Sequence, residues 1–159
     1  MKDKYTFLDL DGVILDSEQR VMDLKLKNPE LKWDAFFEQL DWIKLLRESQ
    51  EINNSLGILK ELQSRKEKIA ILTKVHTLLE AQAKICDLRE NRKIIVPIMI
   101  VPPHVKKSQI YYPNNGEILV DDSSKNIIDW NMKGGRGILF AETEDLDNNK
   151  VKSLEFLLK

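Results

Sequence analysis

The chain has 159 residues, 42% apolar and 32% charged, which suits a single soluble domain with room for a small insertion. Its 25 basic and 26 acidic residues leave a net charge of -1, so bulk electrostatics favour neither nucleic acid nor a membrane surface. One cysteine, Cys86, excludes an internal disulfide or a cysteine-rich zinc site, and the two histidines, His76 and His104, have no metal-ligand spacing. The start lacks the long apolar region of a signal peptide and no stretch reaches membrane-span length, so a cytoplasmic protein is expected.

Residues 5–10 form an apolar run that predicts a short buried strand, delivering Asp9 and Asp11 at its tip, followed by Gly12. Asp16 and Ser17 are candidate helix caps, with Gln19 placed for a capping box. Residues 17–51 read as broken helix, with Pro29 opening a second segment. Trp33, Phe36, Phe37, Leu40, Ile43 and Leu46 then recur at helical spacing as one apolar face. A further helix is predicted from Asn53-Asn54-Ser55, with Leu56, Leu59 and Leu62 inward.

Residues 68–73 read as a buried strand ending in the hydroxyl of Thr73. An amphipathic helix is expected over 76–90, with Leu78, Leu79, Ile85 and Cys86 inward. The run 94–101 is strand-like, and Pro97 within it predicts an edge strand. After a turn at 113–116, residues 117–122 form another apolar strand tipped with Asp121 and Asp122. Ser123 and Ser124 open a helix to about Met132, residues 137–140 form a last strand, and a closing helix is expected from Asn148 with Val151, Leu154, Leu157 and Leu158 on one face. This alternation predicts an α/β fold with a doubly wound, mainly parallel, Rossmann-like sheet. The expected core is 1–16 with 52–159, and 17–51 forms a small helical cap inserted after the first strand.

Asp-Gly is an ordinary turn pair, so the first motif alone decides little. The weight comes from recurrence: Asp9 with Asp11, Thr73, the Lys106-Lys107 pair, and Asp121-Asp122 all fall at strand carboxyl ends or in the loops beyond them. Ligands of open α/β sheets bind there. Residues two apart leave a strand end pointing the same way, so Asp9 and Asp11 crowd each other and call for a cation. Carboxylates without His or Cys suit Mg²⁺, which also takes phosphate oxygens. A hydroxyl and a lysine suit a phosphoryl group, and a carboxylate can attack phosphorus.

Asp9-Leu10-Asp11-Gly12-Val13, the strand ending in Thr73, a loop lysine and Asp121-Asp122 resemble, in order, the four motifs of the haloacid-dehalogenase-like phosphohydrolase superfamily. The insert after the first motif and the Ile118-Leu119-Val120-Asp121-Asp122 ending look most like the 5'(3')-deoxyribonucleotidase-like branch. The resemblance implies Asp9 as nucleophile, Asp11 as acid and base with its carbonyl on Mg²⁺, and Thr73 on the phosphoryl group. It further implies a lysine holding nucleophile and phosphate, Lys107 being favoured over Lys106, and Asp121, with or without Asp122, on the metal. Lys74 is a candidate phosphate contact. His76, His104 and the aromatics Trp33, Phe36, Phe37 and Trp42 read mainly as surface or cap-core residues. The expected activity is a Mg²⁺-dependent phosphatase acting on a small phosphorylated metabolite, best a nucleoside monophosphate. The alternatives are a sugar phosphate, a nucleic-acid phosphate end, or a non-catalytic binding module.

Overall fold

The computed structural model describes residues 4–141 and 150–159. Three strands at its centre alternate apolar side chains between two buried faces. Leu8 of β1 (Thr6–Leu8), Ile69 and Ile71 of β2 (Ile69–Lys74) and Val120 of β4 (Ile118–Asp121) enter one apolar cluster. Phe7, Ala70, Leu72 and Leu119 from the same strands enter the other, beneath Trp130. The period of two with both faces covered is the pattern of a sheet between helices.

With β3 (Ile98–Val101), β5 (Arg136–Phe140) and β6 (Lys150–Val151), the sheet runs in the order β3-β2-β1-β4-β5-β6, and every pairing is parallel. The chain moves outward from β1 through β2 to β3 and then returns to place β4 on the other side of β1. That reversal opens a crevice at the carboxyl ends of β1 and β4, where ligands of such sheets bind. As expected, β3 is an edge strand, but it begins only at Ile98: Pro97 precedes the strand rather than lying within it, and its carbonyl accepts from the Ile71 N–H.

Helices α1 (Ser17–Lys27), α2 (Trp33–Gln39) and α3 (Trp42–Glu48) follow β1 in the chain. Trp42, Leu45 and Leu46 share the apolar cluster of Leu8 and Leu10, which packs this segment against the sheet. Helices α4 (Ser55–Ser64), α5 (Leu78–Cys86), α6 (Lys107–Ile110) and α7 (Ser124–Met132) complete the described set, with a π-helical turn at Asp87–Asn91.

Several local expectations are corrected. Asp16 precedes α1 but makes no capping bond; its carboxylate accepts from Gln50 N at 2.8 Å and Arg20 Nε at 3.1 Å, while Gln19 bonds Asp23. Pro29 lies in the turn after α1, and α2 begins at Trp33. Leu40 adopts an extended conformation between α2 and α3, so the apolar face there is not continuous: Phe36 and Leu46 are buried, Trp33 and Ile43 exposed.

The face of α5 is inverted. Leu78, Leu79, Ile85 and Cys86 are exposed, whereas Glu80, Ala81, Ala83 and Lys84 face inward. Two alanines permit close packing, and the charged pair is satisfied by polar partners under the crevice. Asn148 and Asn149 lie outside the described residues. The rest of the expected closing helix is the edge strand β6 followed by a 3-10 turn at Leu154–Leu158, because the open edge of β5 offers main-chain partners: Ala141 N–H donates to the Val151 carbonyl.

Candidate active site

Asp9 follows directly on β1 and Asp121 ends β4, so the central pairing of those strands brings two carboxylates together. The chain then turns sharply at Gly12, whose φ is +78°. A Cβ there would overlap Asp122 Oδ2 and sit 2.8 Å from Asp122 Cγ and 3.1 Å from Glu18 Oε2. Glycine is needed both for the backbone conformation and for the approach of Asp122.

Lys107 opens α6 and is 3% exposed. Its Nζ donates to Asp121 Oδ2 at 2.6 Å and lies 2.7 Å from Asp9 Oδ1. Lys106 instead is 66% exposed and pairs with Asp129 at 2.9 Å, so Lys107 is the one of the adjacent lysines that lies beside Asp9 and Asp121. Asp121 is fixed further by Ser123 N–H at 2.8 Å and Asn126 Nδ2 at 3.0 Å. One oxygen each of Asp9, Asp121 and Asp122 lie within 4.8 Å of one another.

One lysine does not balance three carboxylates. Burial pushes Asp9 up to about 7, with Lys107 opposing and Asp121 and Asp11 adding to the rise. Burial, a hydrogen bond with Glu18 and the neighbouring acids push Asp122 up to about 9. The trio therefore has hard oxygen donors and a deficit of positive charge, and both properties fit Mg²⁺.

The Asp11 carboxylate turns away from that trio. Ser17 Oγ donates to its Oδ1 at 2.6 Å, and its Oδ2 receives Lys84 Nζ at 2.6 Å and Thr73 Oγ1 at 3.3 Å. Burial raises the Asp11 pKa, but Lys84 and the donated hydrogen bonds outweigh it and hold the carboxyl below its ordinary value. Lys84 is fully buried; it also donates to the Lys74 carbonyl at 2.7 Å and to Thr73 Oγ1 at 3.1 Å, and pairs with Glu80 at 2.8 Å. Burial lowers its pKa, but the two carboxylates raise it further, so it stays charged. Thr73 is fully buried behind Asp11 and does not line the cleft, whereas Lys74 is exposed and does.

The cleft above these groups has a volume of about 330 Å³. Its floor is Asp9, Asp11, Lys107, Asp121 and Asp122, and its wall is aromatic. The Phe37 and His76 rings stack at 3.7 Å and 17°, with Trp33 5.3 Å from Phe37 and Trp42 6.5 Å from His76. Glu80 Oε2 accepts from the His76 N–H at 2.6 Å and lies 3.0 Å from its Nδ1. His104 stays on an exposed loop away from the cleft.

Sequence reasoning missed Ser17 as an Asp11 ligand and missed Glu80 and Lys84 altogether. The only local signal for the latter pair is a Glu-Lys spacing of four, common on solvated helices.

No family model and no curated relative matches the chain. Solved structures do match along nearly its whole length. A haloacid dehalogenase-like hydrolase from Streptococcus pneumoniae has a TM-score of 0.64 at 14% identity, covering 98% of this chain and 97% of that one. The D,D-heptose 1,7-bisphosphate phosphatase of B. bronchiseptica, complexed with magnesium and phosphate, gives 0.64 at 17%, covering 98% of each chain. A HAD-hydrolase from Bacillus subtilis bound to magnesium gives 0.64 at 11%, covering 99% of this chain and 97% of that one. The fold is therefore the HAD-like one, and these structural neighbours are HAD-superfamily hydrolases.

Proposed function

We propose that this chain is a Mg²⁺-dependent phosphomonoester hydrolase that works through an aspartyl-phosphate on Asp9. The observation that carries this reading is Asp9 fixed by Lys107 at 2.7 Å, beside Asp121 and Asp122, on the floor of a cleft. Mg²⁺ held by Asp9, Asp121 and Asp122, with the Asp11 carbonyl, would supply positive charge to the phosphoryl oxygens.

Asp9 attacks phosphorus as the ester P–O bond breaks, and Lys107 and Lys74 balance charge on the phosphoryl oxygens. Asp11 in its protonated form gives its proton to the leaving oxygen. Asp11 then takes a proton from the water that attacks the aspartyl-phosphate, releasing phosphate and restoring Asp9. Thr73 supports this from behind Asp11.

The segment 17–51 serves as the cap. Its Trp33 and Phe37, with His76, favour a planar leaving group, so the best substrate class is a nucleoside monophosphate, as in a 5'(3')-deoxyribonucleotidase. A sugar phosphate is the second reading, favoured by the likeness to heptose bisphosphate phosphatases.

A panel of phosphomonoesters with Mg²⁺, assayed against the native chain and Asp9→Asn, tests the proposal. Hydrolysis by the native chain and loss of at least about 10³-fold in Asp9→Asn are expected. Native inactivity on every ester rejects hydrolysis, and an active Asp9→Asn rejects the covalent route. Higher kcat/KM for sugar phosphates than for deoxynucleoside monophosphates selects the second substrate class.

A further inference from the structure

We infer that Lys84 is a positioning residue, a fully buried lysine of this site, which fixes the Asp11 carboxylate and neutralises it toward an incoming phosphoryl group. The inference rests on the phosphoryl-transfer reading above.

An ammonium has three hydrogens and no acceptor, and Lys84 Nζ has four oxygens within reach: Asp11 Oδ2, Glu80 Oε1, the Lys74 carbonyl and Thr73 Oγ1. Two of these, Glu80 and the Lys74 carbonyl, would help satisfy a lysine whose role was only to hold α5 in place. The other two tie together groups from different elements, Asp11 beyond β1 and Thr73 at the end of β2.

The consequence for orientation is specific. With Ser17 Oγ on Oδ1 and Lys84 on Oδ2, both oxygens of Asp11 are held, so the carboxylate has one orientation at the cleft floor. Lys84 can only donate, so Thr73 Oγ1 accepts from it and keeps its own hydrogen for Asp11 Oδ2. The consequence for charge is equally direct. Asp11 lines the cleft, where an unpaired anion would repel a phosphate dianion, and the buried ammonium 2.6 Å behind it offsets that repulsion. Lys107 does the corresponding work for Asp9 and Asp121, so each lysine serves its own carboxylates.

A double-mutant cycle on inorganic phosphate binding in Mg²⁺, read by calorimetry, tests this. Lys84→Met is expected to weaken phosphate binding about tenfold when Asp11 is present and less than twofold in an Asp11→Asn background. Equal losses in both backgrounds, or no loss in either, overturn the inference. Where Lys84→Met does not melt cooperatively, Lys84→Met with Glu80→Gln replaces it, removing both members of the buried pair. A native chain that binds phosphate but hydrolyses no ester rejects the hydrolase reading and leaves the cycle to decide the role of Lys84. A native chain that does not bind phosphate overturns both.

Discussion

Gly12 and Asp122 meet so closely that no side chain fits between them: a Cβ on Gly12 would overlap Asp122 Oδ2. The left-handed backbone at Gly12 and the third carboxylate of the cluster are thus one feature seen from two strands.

Gly12→Ala should therefore damage the acidic cluster as well as the turn. The φ of +78° alone costs a non-glycine residue about 1–2 kcal/mol, and displacement of Asp122 adds to it. A fall in Tm of several degrees is expected, together with a weaker stabilisation by Mg²⁺. Thermal melts with and without Mg²⁺ measure both.

Stabilisation by Mg²⁺ should grow with pH. Asp9 and Asp122 are pushed up to about 7 and about 9, so without metal the native state binds more protons than the unfolded chain and loses stability as pH rises. A cation displaces those protons, and displacement is easier at higher pH. The Mg²⁺-induced gain in Tm is expected to be clearly larger at pH 8 than at pH 6. An equal gain at both would show that these carboxyls do not hold the ion.

On the acid side the sign reverses. Asp11 and Glu80 are held below their ordinary values of 3.8 and 4.5, so their contribution to stability is complete above that range and is lost as pH falls through their folded values. Urea unfolding between pH 6 and pH 3 should show this loss, and Lys84→Met should flatten the slope, since Lys84 is a main counter-charge to both.

The aromatic wall predicts a selective defect. Phe37→Ala removes the ring stacked on His76 and opens the cleft beside Trp33. For a nucleoside monophosphate, kcat/KM should fall about tenfold, in line with the cost of losing one stacking partner. For a small alkyl phosphate the fall should be several-fold less, and kinetics on the two substrates give the comparison.

Much of the fold was legible because apolar runs of strand length, spaced by helical segments, state which faces are buried. The same runs placed Asp9 and Asp121 at strand ends, and Pro97 marked the edge strand. The corrections fall where local pattern and local surroundings disagree. The alternation at Leu154–Leu158 fits a helix, but the open edge of β5 draws Lys150–Val151 into the sheet first.

By itself, then, the sequence determined a parallel α/β sheet and a row of carboxylates at its carboxyl edge, since both follow from short-range periodicity. Only the tertiary structure decided which lysine serves which acid. Lys107 is selected over Lys106 by the direction in which α6 opens, and Lys84 is drawn inward although apolar neighbours on its helix are left outside. The physical reason is that α5 lies beneath an acidic floor, where the buried ammonium finds its counter-charge in Asp11, 73 residues away in sequence, a partner that no local pattern announces. Amphipathic periodicity assumes an apolar interior, and at this point the interior is a charged site.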